Sequence, residues 1–313
     1  MTRIAFHSNQ LGLRGTEVSL YDYARYNEEV LGNVSIIISI NPNLTKYSDS
    51  NAINKFNKRF KGLFYNNHKD IDKILNENNV DIFYAQKAGF IDNIVSLERK
   101  TLIHSVFQYH EPHGDVYAYI SKWLGNKYNS PYVPYIVTLP EINDNLRNEL
   151  NISKDKIVFG RYGGLETFNI PFVYEAVKNI LSKRNDIYFI FMNTNIFFKH
   201  KNIIYLNGTD SLEYKVKFIN SCDAMLHART VGETFGLAVA EFSLRNKPVF
   251  TFGGSQREWA HLDMLGDKAI KYYDQNDLLI KINDFIPDES KNWNCYNEYN
   301  PHNVMNIFKR VFL

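Results

Sequence analysis

Short apolar runs alternate with longer segments of helical period along the whole chain. The longest runs are six residues, as in SIIISI at 35–40 and IYFIFM at 187–192. Between them, apolar residues recur at steps of three and four, which is the spacing of one helix face. This alternation is typical of βαβ units built around a mostly parallel sheet. The sequence therefore predicts an α/β fold.

The predicted strands form two groups on either side of a polar stretch at 140–156. The predicted strands are 3–7, 34–40, 81–85, 101–107, 116–120 and 135–139 in the first group, and 157–162, 187–192, 203–206, 223–227, 249–252 and 269–273 in the second. Predicted helices include 17–30, 172–183, 212–220 and 236–245. With 313 residues, two doubly wound domains are expected. We place them at 1–145 and 146–313, and leave open a return of the last residues to the first domain.

Composition narrows the class of protein. Hydrophobic residues make up 44% of the chain and charged residues 22%, as in soluble globular proteins. A net charge of +2 is too balanced for a dedicated nucleic-acid binder, so no nucleic-acid partner is expected. The two cysteines, Cys222 and Cys295, cannot build a disulfide framework. No signal peptide and no apolar span of about 20 residues is visible, so we expect a cytoplasmic protein, with peripheral membrane association left open.

Two loops that leave predicted strands stand out. After the first strand, Gly12 and Gly15 bracket a turn and Thr16 or Glu17 begins a helix. Glycines permit close approach of the backbone to a ligand, and helix N-termini attract anions. An ordinary glycine turn explains the same residues equally simply.

The second loop carries two glutamates. Glu233 follows Gly232 and precedes the predicted helix at 236–245, and Glu241 lies two turns into that helix among apolar residues. A carboxylate there requires hydrogen-bond donors, and the hydroxyls of a sugar or ribose are such donors. The alternative is that Glu241 lies on the wet face and Glu233 complements the helix dipole.

The segment GETFGLAVAE at 232–241 resembles the paired-glutamate motif of retaining, family 4-like (group 1) glycosyltransferases of the GT-B fold. Four further segments resemble the same family in the same order: RGTEVSLYDYA at 14–24, VPYIVTLPE at 133–141, IVFGRYGGL at 157–165 and NKPVFTFGGSQRE at 246–258. The resemblance implies two Rossmann-like domains that face each other across a cleft. It also implies transfer of a sugar from a nucleotide-diphosphate sugar to an acceptor hydroxyl on a glycan, lipid or small molecule.

Residue roles follow from this resemblance. Arg161 is expected to hold the diphosphate, since a guanidinium suits phosphate oxygens and stabilises the leaving group. Glu233 is expected to contact the donor sugar and Glu241 the ribose. The remaining expected donor-binding residues are Gly15, Thr16, Gly208, Thr234, Phe235 and Gly236. No permanently bound cofactor and no metal are expected.

One departure from the family pattern concerns a second phosphate-binding cation. The family usually has a Lys shortly after the Gly-Arg pair, where this chain has Glu166 or Thr167. Its candidate replacements are Lys199, Lys247, Arg229 and Arg257. The departure keeps open a non-catalytic protein that binds a nucleotide sugar or glycan. The shared fold keeps open a sugar-nucleotide epimerase.

The family also places a histidine near the transferred sugar. His104 is the first choice by position, and His110 and His113 are its rivals. A satisfied core histidine is the alternative interpretation of His104.

The basic segment KFNKRFKG at 55–62 carries Phe56 and Phe60 four residues apart. It suggests either a peripheral contact with a membrane or a solvated helix that two aromatic side chains anchor to the core.

Overall fold

The computed structural model describes residues 1–12 and 14–313. These residues form two compact units, Met1–Ile136 with Tyr299–Leu313, and Val137–Glu298. Each unit contains one six-stranded sheet in which all neighbouring strands are parallel. The predicted α/β fold with two doubly wound sheets is confirmed.

The first unit orders its strands β3-β2-β1-β4-β5-β6. The strands are β1 (Arg3–Ser8), β2 (Val34–Ile40), β3 (Lys61–Tyr65), β4 (Ile82–Lys87), β5 (Lys100–Ser105) and β6 (Val116–Tyr119). Its helices up to residue 136 are α1 (Gly15–Glu29), α2 (Ser50–Arg59), α3 (Ile71–Glu77) and α4 (Lys122–Tyr128). The order reverses between β1 and β4, so their carboxyl ends flank the point where open α/β sheets bind ligands.

The second unit orders the strands of its main sheet β14-β12-β10-β7-β8-β9. The strands are β7 (Ile157–Tyr162), β8 (Ile187–Met192), β9 (Ile203–Leu206), β10 (Ala224–His227), β11 (Gly232–Glu233), β12 (Val249–Phe252), β13 (Glu258–Trp259) and β14 (Ala269–Tyr272). The short strands β11 and β13 pair with each other. The helices are α5 (Pro171–Lys183), α6 (Leu212–Ser221), α7 (Leu237–Leu244), α8 (Ala260–Leu265) and α9 (Gln275–Asn283). The topological switch point lies between β7 and β10.

Aromatic side chains fill much of both cores. In the second unit Phe159 stacks on Phe189 at 5.6 Å between ring centroids, and Phe189 stacks on Phe191 at 6.2 Å. These rings are buried because helices cover both faces of a parallel sheet, which turns the strands into near-continuous apolar runs. The short apolar runs of the sequence are thus the central strands.

The last helix, α10 (Pro301–Phe312), belongs to the first unit. Its buried Phe308 lies 5.6 Å from the ring of Tyr84, and Phe312 lies 5.3 Å from the ring of His104. The side chain of Asn300 caps the helix by accepting a hydrogen bond from the Asn303 amide. The chain therefore ends packed on the sheet with which it begins.

The prediction of a strand at 135–139 is wrong. Residues 135–137 are buried, but the segment pairs with no strand of the described part of the chain. Pro134 and Pro140 flank it, and proline cannot donate a backbone hydrogen bond. Next to it, the edge strand β6 gains only an isolated bridge from Tyr119 to Tyr132.

The basic segment at 55–62 is the end of α2 and the start of β3. Phe56 and Phe60 are both buried, and each meets the Tyr21 ring edge-on, at 5.2 and 5.3 Å. The two aromatic rings therefore face the protein. Across residues 1–12 and 14–313, no helix combines the length and the apolar character that crossing a bilayer requires.

Candidate active site

Polar side chains converge at the carboxyl ends of the central strands of the second unit. Arg161 lies near the end of β7, His227 ends β10, and Thr251 lies near the end of β12. The first two strands flank the switch point of this sheet. A parallel sheet directs these ends to one edge, so the arrangement marks this edge as the candidate ligand site.

Arg161 is buried, with 3% of its surface exposed. Its Nη1 donates to the carbonyl of Asn193 at 3.1 Å and to Thr194 Oγ1 at 2.5 Å. Its Nη2 donates to the carbonyl of Gly164 at 2.8 Å and to Thr167 Oγ1 at 2.5 Å. Arg161 thus fixes two loops that leave neighbouring strands, β7 and β8.

The charge of Arg161 has no carboxylate partner among these four hydrogen bonds, since all four acceptors are neutral oxygens. Burial lowers the pKa of Arg161 to about 10, and the charge of Glu233 opposes that shift. The guanidinium therefore stays cationic at neutral pH. A buried cation with neutral partners favours an anion bound nearby.

Glu233 is positioned by the short β11–β13 pair. Gly232 has φ +76°, and a Cβ there would lie 1.6 Å from the carbonyl oxygen of Glu258. Only glycine fits this approach of two backbones. The glycine before the first glutamate is therefore what lets β11 lie against β13 and fixes where Glu233 leaves the chain.

Both carboxylate oxygens of Glu233 have partners. Oε1 lies 3.3 Å from His227 Nε2, and Oε2 accepts from Arg229 Nη1 at 2.6 Å. Burial alone would raise the pKa of Glu233, but the hydrogen bond to His227 and the charge of Arg229 hold it at about 2. Glu233 is therefore an ionised, oriented hydrogen-bond acceptor.

The segment after Glu233 enters α7. Thr234 and Phe235 are buried, and Gly236 occupies the N-cap position with φ +88°. This places amides at the start of α7 beside Glu233, where the helix dipole favours negative charge. Donor binding by Thr234, Phe235 and Gly236 remains a prediction.

Glu241 does not lie on a wet face. It is 5% exposed, and Lys215 on α6 donates to its Oε1 at 3.0 Å and its Oε2 at 3.2 Å. The Lys215 ammonium also lies 5.4 Å from the centre of the Tyr162 ring at the end of β7. A cation thus lies near the switch point at a position that the sequence did not suggest, and ribose binding by Glu241 remains a prediction.

The four cations proposed from the sequence lie in different surroundings. Arg229 is bound to Glu233, Lys199 and Arg257 are exposed, and Lys247 is half-buried. Arg229 is therefore in contact with a predicted site residue.

Three further predicted donor-binding residues make none of the contacts just described. Gly208 is exposed in the loop after β9, close to the Asn193 side chain. In the first unit Gly15 begins α1, and the hydroxyl of Thr16 donates to Glu17 Oε2 at 2.8 Å. Roles for Gly208, Gly15 and Thr16 in binding a diphosphate remain predictions.

His104 is fully buried in the first unit, with both ring nitrogens engaged. Nδ1 lies 2.6 Å from Tyr84 Oη, and Nε2 lies 2.9 Å from the carbonyl oxygen of Val133. Its rival His110 is exposed and stacks on Tyr128 at 4.8 Å. The surroundings of His104 are those of a core histidine, and a catalytic role for it remains a prediction.

The burial of His104 predicts a measurable acid sensitivity. Burial lowers its pKa to about 4, below the unfolded value of 6.5, so the unfolded chain takes up a proton first as pH falls. The stability contributed by neutral His104 is complete above pH 6.5 and decreases down to pH 4, by up to about 1.4 kcal/mol per pH unit. In urea unfolding at several pH values, His104→Gln should lose this contribution to the slope of the unfolding free energy against pH. The substitution His302→Gln, at an exposed histidine, should keep it. If the unfolding free energy of wild type and of His104→Gln depended equally on pH, His104 would not be a buried neutral histidine.

Four side chains of this site escaped the sequence analysis: His227, Thr251, His261 and Lys215. His227 carried a usable signal, because it ends a predicted strand and the carboxyl ends of strands are where ligands bind. The other three carried none, since their partners lie 10 to 26 residues away.

No group of three or more His, Cys, Asp or Glu side chains is arranged to hold a metal ion within the part of the chain that the structure describes.

Comparison with solved structures identifies the fold. A glycosyltransferase from Rickettsia africae ESF-5 is 13% identical, with 99% of this chain and 94% of that chain covered and a TM-score of 0.67. HepE (Alr3699) from Anabaena, solved with UDP-glucose, is 13% identical, with 100% and 96% covered and a TM-score of 0.70. A candidate UDP-N-acetylglucosamine 2-epimerase from Listeria monocytogenes is 12% identical, with 97% and 94% covered and a TM-score of 0.63.

No protein-family model and no curated protein matches the chain. At 10–14% identity the structural likenesses show the fold alone. Because these likenesses cover nearly the whole chain, and this chain has two parallel six-stranded sheets, the fold is GT-B.

Proposed function

We propose that this chain is a glycosyltransferase that moves a sugar from a nucleotide-diphosphate sugar to an acceptor hydroxyl. The observation that carries the proposal is Glu233, an ionised carboxylate that His227 and Arg229 orient at the switch point of the second sheet. A fixed carboxylate binds hydroxyls by accepting their hydrogen bonds. A sugar offers several hydroxyls, and the cation Arg161 nearby suits a diphosphate.

Arg161 serves this chemistry through its charge and its loops. Its Nη1 and Nη2 hold the segments at 163–167 and 193–194 in place. The positive charge stabilises the negative charge that grows on the leaving nucleotide diphosphate, and the fixed loops shape the surface that receives it. Lys215, paired with Glu241, is a second cation near the end of β7.

The reaction breaks the bond between the anomeric carbon and the diphosphate oxygen and forms one to the acceptor oxygen. The acceptor proton passes to the departing diphosphate. By resemblance to the retaining family, the acceptor attacks from the face that the diphosphate leaves, so the anomeric configuration is kept. The same resemblance implies that no metal is needed. The acceptor is a hydroxyl on a glycan, lipid or small molecule.

An epimerase on the same fold is the second candidate, supported by the likeness to the Listeria protein. The two reactions differ in their products. A transferase releases the nucleotide diphosphate, whereas an epimerase converts one nucleotide sugar into another. A non-catalytic binder does neither.

Thermal-shift measurements against UDP, GDP, ADP and their sugars test the proposal directly. We expect one base to stabilise the protein, by about 2.7 kcal/mol when the ligand is at 100 times its dissociation constant. UDP and UDP-glucose come first because HepE was solved with UDP-glucose. Release of nucleotide diphosphate then separates transfer from epimerisation. If no nucleotide or nucleotide sugar stabilises the chain, the proposal fails.

A further inference from the structure

A buried chain of polar atoms extends from Glu233 into the core. His227 Nε2 lies 3.3 Å from Glu233 Oε1, and His227 Nδ1 lies 2.9 Å from Thr251 Oγ1. Thr251 Oγ1 in turn lies 3.1 Å from His261 Nε2. His227, Thr251 and His261 are all buried, so water does not replace these contacts. The sheet itself sets the central contact, since His227 and Thr251 face each other in the register of β10 and β12.

The positions of the protons in these hydrogen bonds follow from the charge of Glu233. An ionised carboxylate only accepts, so His227 must carry a proton on Nε2. With this as its one proton, its Nδ1 is bare and accepts from the hydroxyl of Thr251. The oxygen of Thr251 is left to accept, so His261 must carry its proton on Nε2. All hydrogen bonds therefore run from His261 towards Glu233.

The far end of the chain agrees with this direction. His261 Nδ1 is buried and has no hydrogen-bond partner among residues 1–12 and 14–313, and in this direction it is a bare acceptor. The reverse direction would place an unpaired N–H at the buried Nδ1 of His261 and would require a second proton on His227. Burial lowers the pKa of His261 to about 3. His261 is therefore neutral, as hydrogen bonds that run from His261 to Glu233 require.

We propose that Thr251 and His261 are positioning residues for Glu233 and act on it through His227. The inference rests on the proposed function, in which Glu233 binds the donor sugar. His227 restrains Oε1 while Arg229 restrains Oε2, so the carboxylate cannot rotate. Thr251 keeps the His227 ring in the orientation and tautomer that this requires, and His261 orders the Thr251 hydroxyl.

Nitrogen NMR of the full-length protein labelled at histidine tests these hydrogen bonds without reference to activity. In the wild type, His227 and His261 should both be Nε2–H tautomers. Thr251→Val removes the link, so His261 should become a mixture of tautomers, and Thr251→Ser should restore the single form. Glu233→Gln, which can donate as well as accept, should also shift the tautomer of His261. That shift should vanish when Thr251→Val is present.

Thr101→Val is the matched control, because Thr101 is equally buried but lies in the first unit. It should leave the tautomers of His227 and His261 unchanged. An unchanged His261 tautomer in Thr251→Val would overturn the inference.

Binding supplies the functional readout. The affinity for UDP-glucose should fall about tenfold in Thr251→Val, as expected for the loss of one buried hydrogen bond, and return in Thr251→Ser. Unchanged affinity despite a changed tautomer would refute the positioning role. Failure of the wild type to bind any nucleotide sugar would instead refute the proposed function. The NMR result would still decide whether the hydrogen bonds from His261 to Glu233 exist.

Discussion

Arg161→Ala should reduce sugar transfer by about a thousandfold and lower the free energy of unfolding of the second unit by about 3 kcal/mol. The first effect follows from losing the cation that we propose lies near the diphosphate. The second follows from four neutral oxygens that lose their buried donor, and from the cavity that remains. Initial rates of nucleotide diphosphate release and urea unfolding measure the two effects.

Arg161→Lys separates charge from geometry. A lysine keeps the cation but cannot donate to four acceptors in the plane of a guanidinium. We expect it to recover part of the transfer rate and little of the stability. A full recovery of stability would show that the hydrogen bonds to the two loops contribute little.

Arg147 provides a matched control for loss of stability. It is also a largely buried arginine of the second unit, and it donates to Asp223 Oδ2 at 2.7 Å and to the carbonyls of Ser221 and Lys156. These partners lie at the amino ends of β7 and β10, opposite to the candidate site. Arg147→Ala should therefore destabilise the unit without weakening UDP-glucose binding by the folded protein. Transfer by Arg161→Ala at the rate of Arg147→Ala would remove Arg161 from the site.

The pattern of the sequence predicted buried strands well and edge segments poorly. β8 was predicted with its observed bounds because both of its faces are covered, which leaves a continuous apolar run. β3 was missed because most of its residues are exposed or half-exposed at the sheet edge. The stretch at 135–139 looked like a strand because it is apolar, but Pro134 and Pro140 deprive it of a ladder. An apolar pattern in the sequence indicates burial. At the edge of a sheet, a buried segment need not pair with a strand, and a paired strand need not be buried.

For the site, the sequence identified loops but not partners. Glu233 was found because it lies in a loop that leaves a strand, and Arg161 because its segment resembles the glycosyltransferase family. The pair of His227 and Thr251 depends on β10 lying beside β12, and strand order is not encoded in local spacing. For the same reason Glu241 was expected to need ligand hydroxyls, whereas the fold brings Lys215 to it from α6. Charge partners across elements become visible only once the topology is known.

Glu233→Gln should also reduce transfer by about a thousandfold, because a neutral amide cannot replace an oriented anion beside the reacting sugar. It differs from Arg161→Ala in its dependence on pH. The pKa of Glu233 is about 2 in the folded chain and 4.5 in the unfolded chain. The stability that its charge contributes is therefore complete above pH 4.5 and is lost as pH falls through 2, on the order of 3 kcal/mol in total.

The difference in unfolding free energy between wild type and Glu233→Gln should therefore shrink as pH falls from 4.5 to 2. Glu175→Gln is the control, because Glu175 is exposed on α5 and the substitution removes the same charge. Its ion pair with Lys178 lies at the surface, so its difference from wild type should change by less than about 1 kcal/mol over this range. A constant difference for Glu233→Gln would mean that His227 and Arg229 do not stabilise the ionised carboxylate. The oriented acceptor that the proposed function requires would then be absent, even if the transfer rate fell.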